Sequence, residues 1–415
     1  MKFLQSNGLD LATLDVKLLL KNFRDTMVAG LAGQGPLPML PSPLHIPKEI
    51  PTTGDCPAFD VGGTNTRSAR IQFHPDKAPT VQNLLRGKMP GATTPVTPLE
   101  FYQQLCDVLL PNIRDNEALG YCFSYAFDNT HRLLHWTKGI QAPEIVGTDV
   151  VQGLTTALIQ RGCKNIQIAI LNDTVATLLA AYAAKQQPYA GYVGFILGTG
   201  VNAAYAERTE AILKAPTLPP GHRVPINCES GNFTAFTRTR FDDNYEAATG
   251  NGKAQWERCI SGVHLGPLCT EMLRCAAKEG LLSEKIASYV RTTTLTFVEL
   301  NHFLSGRAPE LFNTTIDEQH TIRQWLLAMI ERAATFAAVN IAAAALASAQ
   351  AQKSTHGTIL VNADGSTFWK TDCIPFSHRI REITCELLAP YGFDVEIIQI
   401  EDAPLIGAAL AATQL

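Results

Sequence analysis

Ala58-Phe-Asp-Val-Gly-Gly-Thr-Asn-Thr-Arg67 runs an apolar stretch into a double-glycine turn, and Tyr192-Val-Gly-Phe-Ile-Leu-Gly-Thr-Gly-Val-Asn202 does the same further along the chain. Each reads as a strand followed by glycines, a threonine and an asparagine at a turn. Glycine lets backbone amides come close to an anion, so both turns read as phosphate cradles. In the first, Gly62 and Gly63 open the backbone, Thr64 and Asn65 add polar contacts, Arg67 pairs with phosphate oxygens, and Asp60 can orient Mg2+ through water. In the second, Gly198, Thr199 and Gly200 form the turn. The plain alternative for the first is a Gly-Gly hairpin turn with a solvated arginine. Two such turns imply two related halves facing one ligand.

Around these turns, short β-like runs alternate with helical periods from Phe59 onward, the pattern of a layered α/β protein. Residues 166–171 read as a strand that leads straight into a helix at 174–184, which sets Asn172-Asp173 at the carboxyl end of a strand. Active sites of α/β proteins form there. The competing use of Asp173 is as the N-cap of the helix. Thr97 and Glu100 form a capping box. Residues 317–349 form a long Ala-rich helix, 358–361 and 395–400 are strands, and 407–412 close the chain as a small-residue helix. At the other end, Val16, Leu19, Leu20, Phe23, Met27 and Leu31 recur every three or four residues as an amphipathic helix. Seven prolines between Pro36 and Pro57 then specify an extended connector joining two domains, because proline has no backbone donor.

The 415 residues carry 34 basic and 38 acidic side chains, with 46% hydrophobic and 17% charged residues. This is length for two or three folded units, and the balance excludes a disordered chain and a coiled coil. A net charge of −4 without a Lys/Arg cluster argues against nucleic acid or an anionic membrane as partner. Asp10, Asp15, Lys17, Lys21, Arg24 and Asp25 interrupt any secretory signal core. The Ala-rich run 333–347, broken by Thr335 and Asn340, is too short and weakly hydrophobic for a membrane span and reads as a buried helix. Ten cysteines without a Cys-x-x-Cys pair read as reduced structural thiols, so a cytoplasmic location is expected. The Gly-Lys pairs at 87–88 and 252–253 lack the upstream glycine of a Walker A loop, and no Gly-x-Gly-x-x-Gly follows a strand. His131 and His135 sit in a strand-like run and read as structural.

The motifs AFDVGGTNTR (58–67), YCFSYAF (121–127), WTKGI (136–140), ILNDTVATLLAAY (170–182) and FILGTGVNAAY (195–205) appear in one order and resemble the hexokinase family. INCESGNF (226–233), ERCISGVHLG (257–266), ADGSTF (363–368) and GAALAA (407–412) continue the resemblance to the end of the chain. It implies two ribonuclease-H-like (actin-like ATPase) α/β domains with a cleft between them. The small one would hold 55–171 plus 403–415, the large one 1–54 plus 172–402. It further implies ATP-dependent phosphorylation of a hexose, glucose first, at the 6-hydroxyl, with a kinase for mannose, fructose or an amino sugar, or a non-catalytic sugar sensor, as alternatives. Mg2+ would be carried by the nucleotide phosphates.

By the same resemblance Ser124, Thr137, Lys138, Asn172, Asp173, Asn202, Glu229 and Glu257 bind the sugar, and Asp173 is the catalytic base. Asp60, Gly62, Gly63, Thr64, Asn65, Arg67, Gly198, Thr199 and Gly200 would bind the nucleotide. Carboxylates and amides suit hydroxyls that both donate and accept. The chain departs from the family pattern at Ser230, where an indole is usual, at Ala254 for Gln and at Ala126 for Pro. Ala403-Pro-Leu-Ile-Gly-Ala-Ala409 replaces a Gly/Ser-rich turn, so fewer and more apolar adenosine contacts are expected there.

Overall fold

The computed structural model describes residues 2–415 apart from 48, 129, 137, 138, 185–187 and 251. Its strands are β1 (Leu40–Pro41), β2 (Asp55–Val61), β3 (Asn65–Gln72), β4 (Thr80–Lys88), β5 (Ala118–Phe123), β6 (Gln167–Leu171), β7 (Gly191–Leu197), β8 (Val201–Arg208), β9 (Arg223–Asn227), β10 (Gly357–Asp364) and β11 (Phe393–Ile398). One sheet has the order β4-β3-β2-β5-β6, the other β1-β9-β8-β7-β10-β11. Apart from β1, the second repeats the first with every number raised by five. In each, three strands form an antiparallel meander and two more add in parallel. The two glycine turns are the equivalent first hairpins, β2–β3 and β7–β8.

The helices are α1 (Lys2–Ser6), α2 (Val16–Leu31), α3 (Pro98–Leu109), α4 (Val150–Gln160), α5 (Asp173–Ala184), α6 (Arg240–Thr249), α7 (Glu257–Ile260), α8 (Gly262–Lys278), α9 (Glu284–Thr292), α10 (Phe297–Leu304), α11 (Ile316–Gln352), α12 (Ser366–Lys370), α13 (Phe376–Leu388) and α14 (Ala403–Ala412). The Thr97–Glu100 capping box opens α3 as its sequence specifies. Helices α5 and α14 lie against each other between the sheets, α5 on β7, β8 and β10, α14 on β2, β5 and β6. A helix enclosed on both sides has no use for a polar face, and APLIGAALAA in α14 is buried at every position. Closeness at this junction depends on glycine. A Cβ on Gly407 would lie 1.9 Å from the Ala176 carbonyl oxygen of α5. Gly407→Ala is therefore expected to lose about 1–3 kcal/mol through overpacking. A thermal midpoint equal to that of the parent would refute this.

One local expectation changes and two gain detail. The C-terminal helix starts at Ala403, not at Gly407, because Pro404 is acceptable in a first helical turn and the apolar side chains after it find a core. Helix α11, 37 residues long, is long and apolar enough for a membrane span by length and composition alone, but its 333–346 stretch is buried among protein side chains, as the sequence reading expects. The proline connector is extended, as its sequence specifies, and is also tied down. Its non-proline amides at Met39, Ser42 and Ile46 donate to the carbonyls of Cys228, Pro225 and Arg223, which makes it the edge of the larger sheet.

Candidate active site

Strands β2, β5 and β6 are parallel, so residues 61, 123 and 171 end at one edge of the smaller sheet. In the larger sheet β7 and β10 are parallel, and β9 runs the same way through two antiparallel steps, which brings residues 197, 364 and 227 to one edge. Most of the site residues expected from the sequence follow these strand ends.

Ser124 follows β5, and its N–H donates to Val61 O, 3.1 Å. Thr137 and Lys138 lie outside the described residues. Beside them Trp136 is fixed, with its Nε1 donating to Ala142 O at 2.8 Å and its ring edge-on to Tyr125. After β6, Asn172 Oδ1 accepts from Thr174 N at 2.9 Å, and Asn172 O accepts from Ala176 N. The cap of α5 is therefore Asn172. Asp173 is the first helical residue, and its carboxylate is left for other work, touched by the Thr174 hydroxyl at 3.3 Å.

Across the cleft Glu229 sits after β9 in the left-handed region, φ 52°, a conformation costly for a residue with a side chain. Burial pushes its carboxyl up from the ordinary range, the Asn227 amide draws it back, and the charges of Asp173 and Glu257 push it up again. Asp173 and Glu257 are therefore near enough for their charges to act on Glu229. Glu257 opens α7 and accepts from Val201 N at 2.9 Å. A Cβ on Gly200 would stand 2.6 Å from Glu257 Oε2, so this glycine makes room for the carboxylate. Asn202 is bound within the protein, its Oδ1 taking Ala203 N and Ser230 N and its Nδ2 donating to Asn227 Oδ1 at 2.6 Å. Asn227 in turn donates to Glu229 Oε1 at 2.8 Å. It was not expected as a site residue, although its place two before Glu229 within Asn-x-Glu was the available signal. Ser230 is buried, and beside it the Trp256 indole stacks on Phe336 while its backbone N–H meets Gly231 O.

The glycine turns differ from expectation in their charged members. The β2–β3 turn is a hairpin closed by Gly62 N to Asn65 O, with Thr64 and Asn65 exposed at its tip. Arg67 does not face outward toward phosphate. Its Nε and Nη2 donate to Asp60 Oδ2 at 3.0 and 2.7 Å, and its Nη1 to Asp402 Oδ1 at 2.7 Å. Two carboxylates thus claim one guanidinium. Burial pushes the Asp60 carboxyl up despite Arg67. Among the described residues no three His, Cys, Asp or Glu side chains are spaced to share a metal ion. In the second turn Gly198 O accepts from Gly262 N and from Thr367 Oγ1, while Thr199 is exposed. Gly365 closes on this turn with φ 112°, where a Cβ would meet Leu197 O at 2.3 Å. The expected apolar adenosine surface at 403–406 is absent, since those side chains are buried in α14.

Two sequence-family models, both described as hexokinase, match residues 5–183 and 192–414. The chain belongs to the hexokinase family. Hexokinase-1 of Saccharomyces cerevisiae is 30% identical over 87% of this chain and 81% of its own length. Hexokinase-2 of the same yeast is 29% identical over 94% of this chain and 87% of its own. A Schistosoma mansoni hexokinase solved with glucose superposes with a TM-score of 0.78 at 24% identity, over 100% of this chain and 98% of the other. A Streptomyces griseus glucokinase solved with glucose and AMPPNP shares the fold more distantly, TM-score 0.51, 14% identity, over 87% of this chain and 100% of the other. The fold is the two-lobed actin-like sugar kinase fold. This hexokinase phosphorylates sugar.

Proposed function

We propose that this hexokinase moves the γ-phosphoryl group of ATP to the 6-hydroxyl of a hexose, glucose first, as an opening step of glycolysis in the cytoplasm. The observation that carries this reading is the Asn172 cap, which leaves the Asp173 carboxylate at the strand edge beside Glu229 and Glu257. Asp173 takes the proton of the 6-hydroxyl as its oxygen bonds to the γ-phosphorus, the bond from that phosphorus to the bridging oxygen breaks, and ADP leaves. Glu229, Glu257, Asn172 and Ser124 hold the remaining hydroxyls, and the family resemblance adds Thr137 and Lys138 to the sugar contacts. The glycine turns at 62–65 and 198–200 bracket the phosphates, and magnesium arrives with the nucleotide. The smaller domain is 55–171 plus 403–415, the larger 1–54 plus 172–402, and their closure excludes water that would otherwise accept the phosphoryl group. Arg67 acts by holding Asp60 and Asp402 rather than by touching phosphate.

A panel of glucose, mannose, fructose and glucosamine with ATP and other nucleoside triphosphates, read by ADP release, tests the reading. Glucose with ATP is expected to give the highest kcat/KM. No turnover of any sugar would leave a sugar sensor instead.

Asn227 supplies a sharper check. Asn227→Ala removes the amide that bridges Glu229 and Asn202, so the sugar KM is expected to rise about 10-fold, ~1.4 kcal/mol, with kcat little changed. Because Asn227 draws the Glu229 carboxyl down, its loss also moves the acid limb of the KM–pH profile to higher pH. A KM within twofold of the parent and an unmoved limb would remove Asn227 from the site.

A further inference from the structure

Three hydrogen bonds hold the turn between β2 and β3, and one of them comes from a distant side chain. Gly62 N donates to Asn65 O at 3.0 Å and closes the hairpin, while Met89 N donates to Thr64 O at 3.0 Å and ties the tip to the residue after β4. The third donor is the Tyr125 hydroxyl, which reaches Gly62 O at 3.2 Å across 63 positions of chain. Tyr125 stands next to Ser124, just past the end of β5.

That third bond fixes a peptide plane. Gly62 O and the Gly63 N–H belong to one planar trans unit, so they point in opposite directions. A carbonyl held toward Tyr125 therefore turns the Gly63 N–H away from it. A Gly-Gly peptide rotates at small cost because neither residue has a Cβ, so the hydroxyl selects which way the plane faces. Among the described residues, Gly63 N and Thr64 N find no acceptor in the protein. Two successive amides without acceptors form a donor pair suited to a phosphate oxygen.

The tyrosine itself is held firmly. It is buried, with its ring edge-on to Trp136 at 4.8 Å between centroids and tilted against Phe123 at 5.2 Å. Burial pushes its hydroxyl up from the ordinary range, so it stays protonated and keeps its hydrogen to donate.

We propose that Tyr125 is a positioning residue for the phosphoryl donor, its hydroxyl holding the Gly62–Gly63 peptide so that the Gly63 amide presents its hydrogen to the polyphosphate of the nucleotide. This rests on the reading of the glycine turn as a phosphate cradle and deepens it. Tyr125 acts through the turn, and the bonds made and broken in the reaction are unchanged.

Tyr125→Phe deletes one oxygen and keeps the ring. At saturating glucose the KM for ATP is expected to rise roughly 5- to 10-fold, because a charge-assisted hydrogen bond is misdirected, while the glucose KM stays within twofold. Inorganic tripolyphosphate, titrated by calorimetry with glucose present, is expected to bind more weakly by a similar factor, and adenosine, which carries no phosphate, to keep its affinity. Tyr125→4-aminophenylalanine restores a donor at the same place and is expected to bring the KM for ATP within threefold of the parent. It also carries the test where the Phe variant folds poorly, since a donor on that ring with a tenfold rise in the KM for ATP contradicts the proposal. An unchanged KM for ATP in Tyr125→Phe overturns it. So do equal rises for ATP and glucose, or an adenosine affinity that falls together with that of tripolyphosphate, because the ring then supports the site as a whole. The parent enzyme separates this from the reading beneath it. Tripolyphosphate that neither binds the parent nor competes with ATP there brings down the phosphate cradle itself, and the proposal with it.

Discussion

Asp173→Asn is expected to lower kcat by about 10²- to 10⁴-fold while sugar affinity stays within a few-fold, because a base acts chiefly in the transition state. The local structure makes this variant informative. Were Asp173 the cap of α5, its replacement would loosen the helix and confuse stability with chemistry. Asn172 does the capping, so the thermal midpoint should hardly move. Near-normal kcat would refute the assignment, and a large fall in the midpoint would show that the carboxylate supports the fold.

The second large effect lies behind the site. Arg332, in the middle of α11, donates through Nη1 and Nη2 to the two Asp242 oxygens at 2.8 Å each, with only 3% and 4% of the side chains exposed. Asp242 also closes the capping box of α6 through Thr239 and accepts from the Cys259 thiol in α7, two residues after Glu257. Arg332→Met leaves a buried carboxylate without its cation, and a loss of about 3–5 kcal/mol is expected. Adding Asp242→Asn, which removes the stranded charge, should restore part of it. Denaturant unfolding gives the measurement. A loss below about 1 kcal/mol, or a double variant as weak as the single, would contradict it.

The pH dependence has a definite sign. Burial alone would raise the Asp242 carboxyl, but Arg332 and the Thr239 donors outweigh it and hold the group below its ordinary 3.8. A depressed folded value means that the stabilisation is present above the ordinary range and is lost as pH falls through the folded value. The deficit of Arg332→Met should therefore be largest near neutral pH and shrink as acid protonates the stranded Asp242 carboxyl, which burial without its cation makes easier to protonate.

Most local elements were legible because their causes are local. The α2 periodicity, the Thr97–Glu100 box and the strand-to-helix step at 171–173 depend on residues a few positions apart. The misreadings share one origin. The start of α14 at Ala403 was hidden because its first turn is stabilised by burial against α5 and the smaller sheet. The cap stood as a rival use of Asp173, because Asn and Asp serve almost equally there and only the backbone shows which one comes first.

The sequence by itself determined several of the strands and helices, the two glycine turns and the family, since periodicity, caps and motif order are properties of neighbouring residues. Tertiary structure decided the partners. Arg67 meets Asp402 from 335 positions away, and Asn202 reaches Asn227 across 25. A guanidinium suits phosphate and carboxylate alike. Which one it holds depends on the groups that the folded chain brings within reach, and here α14 delivers a carboxylate before any phosphate arrives.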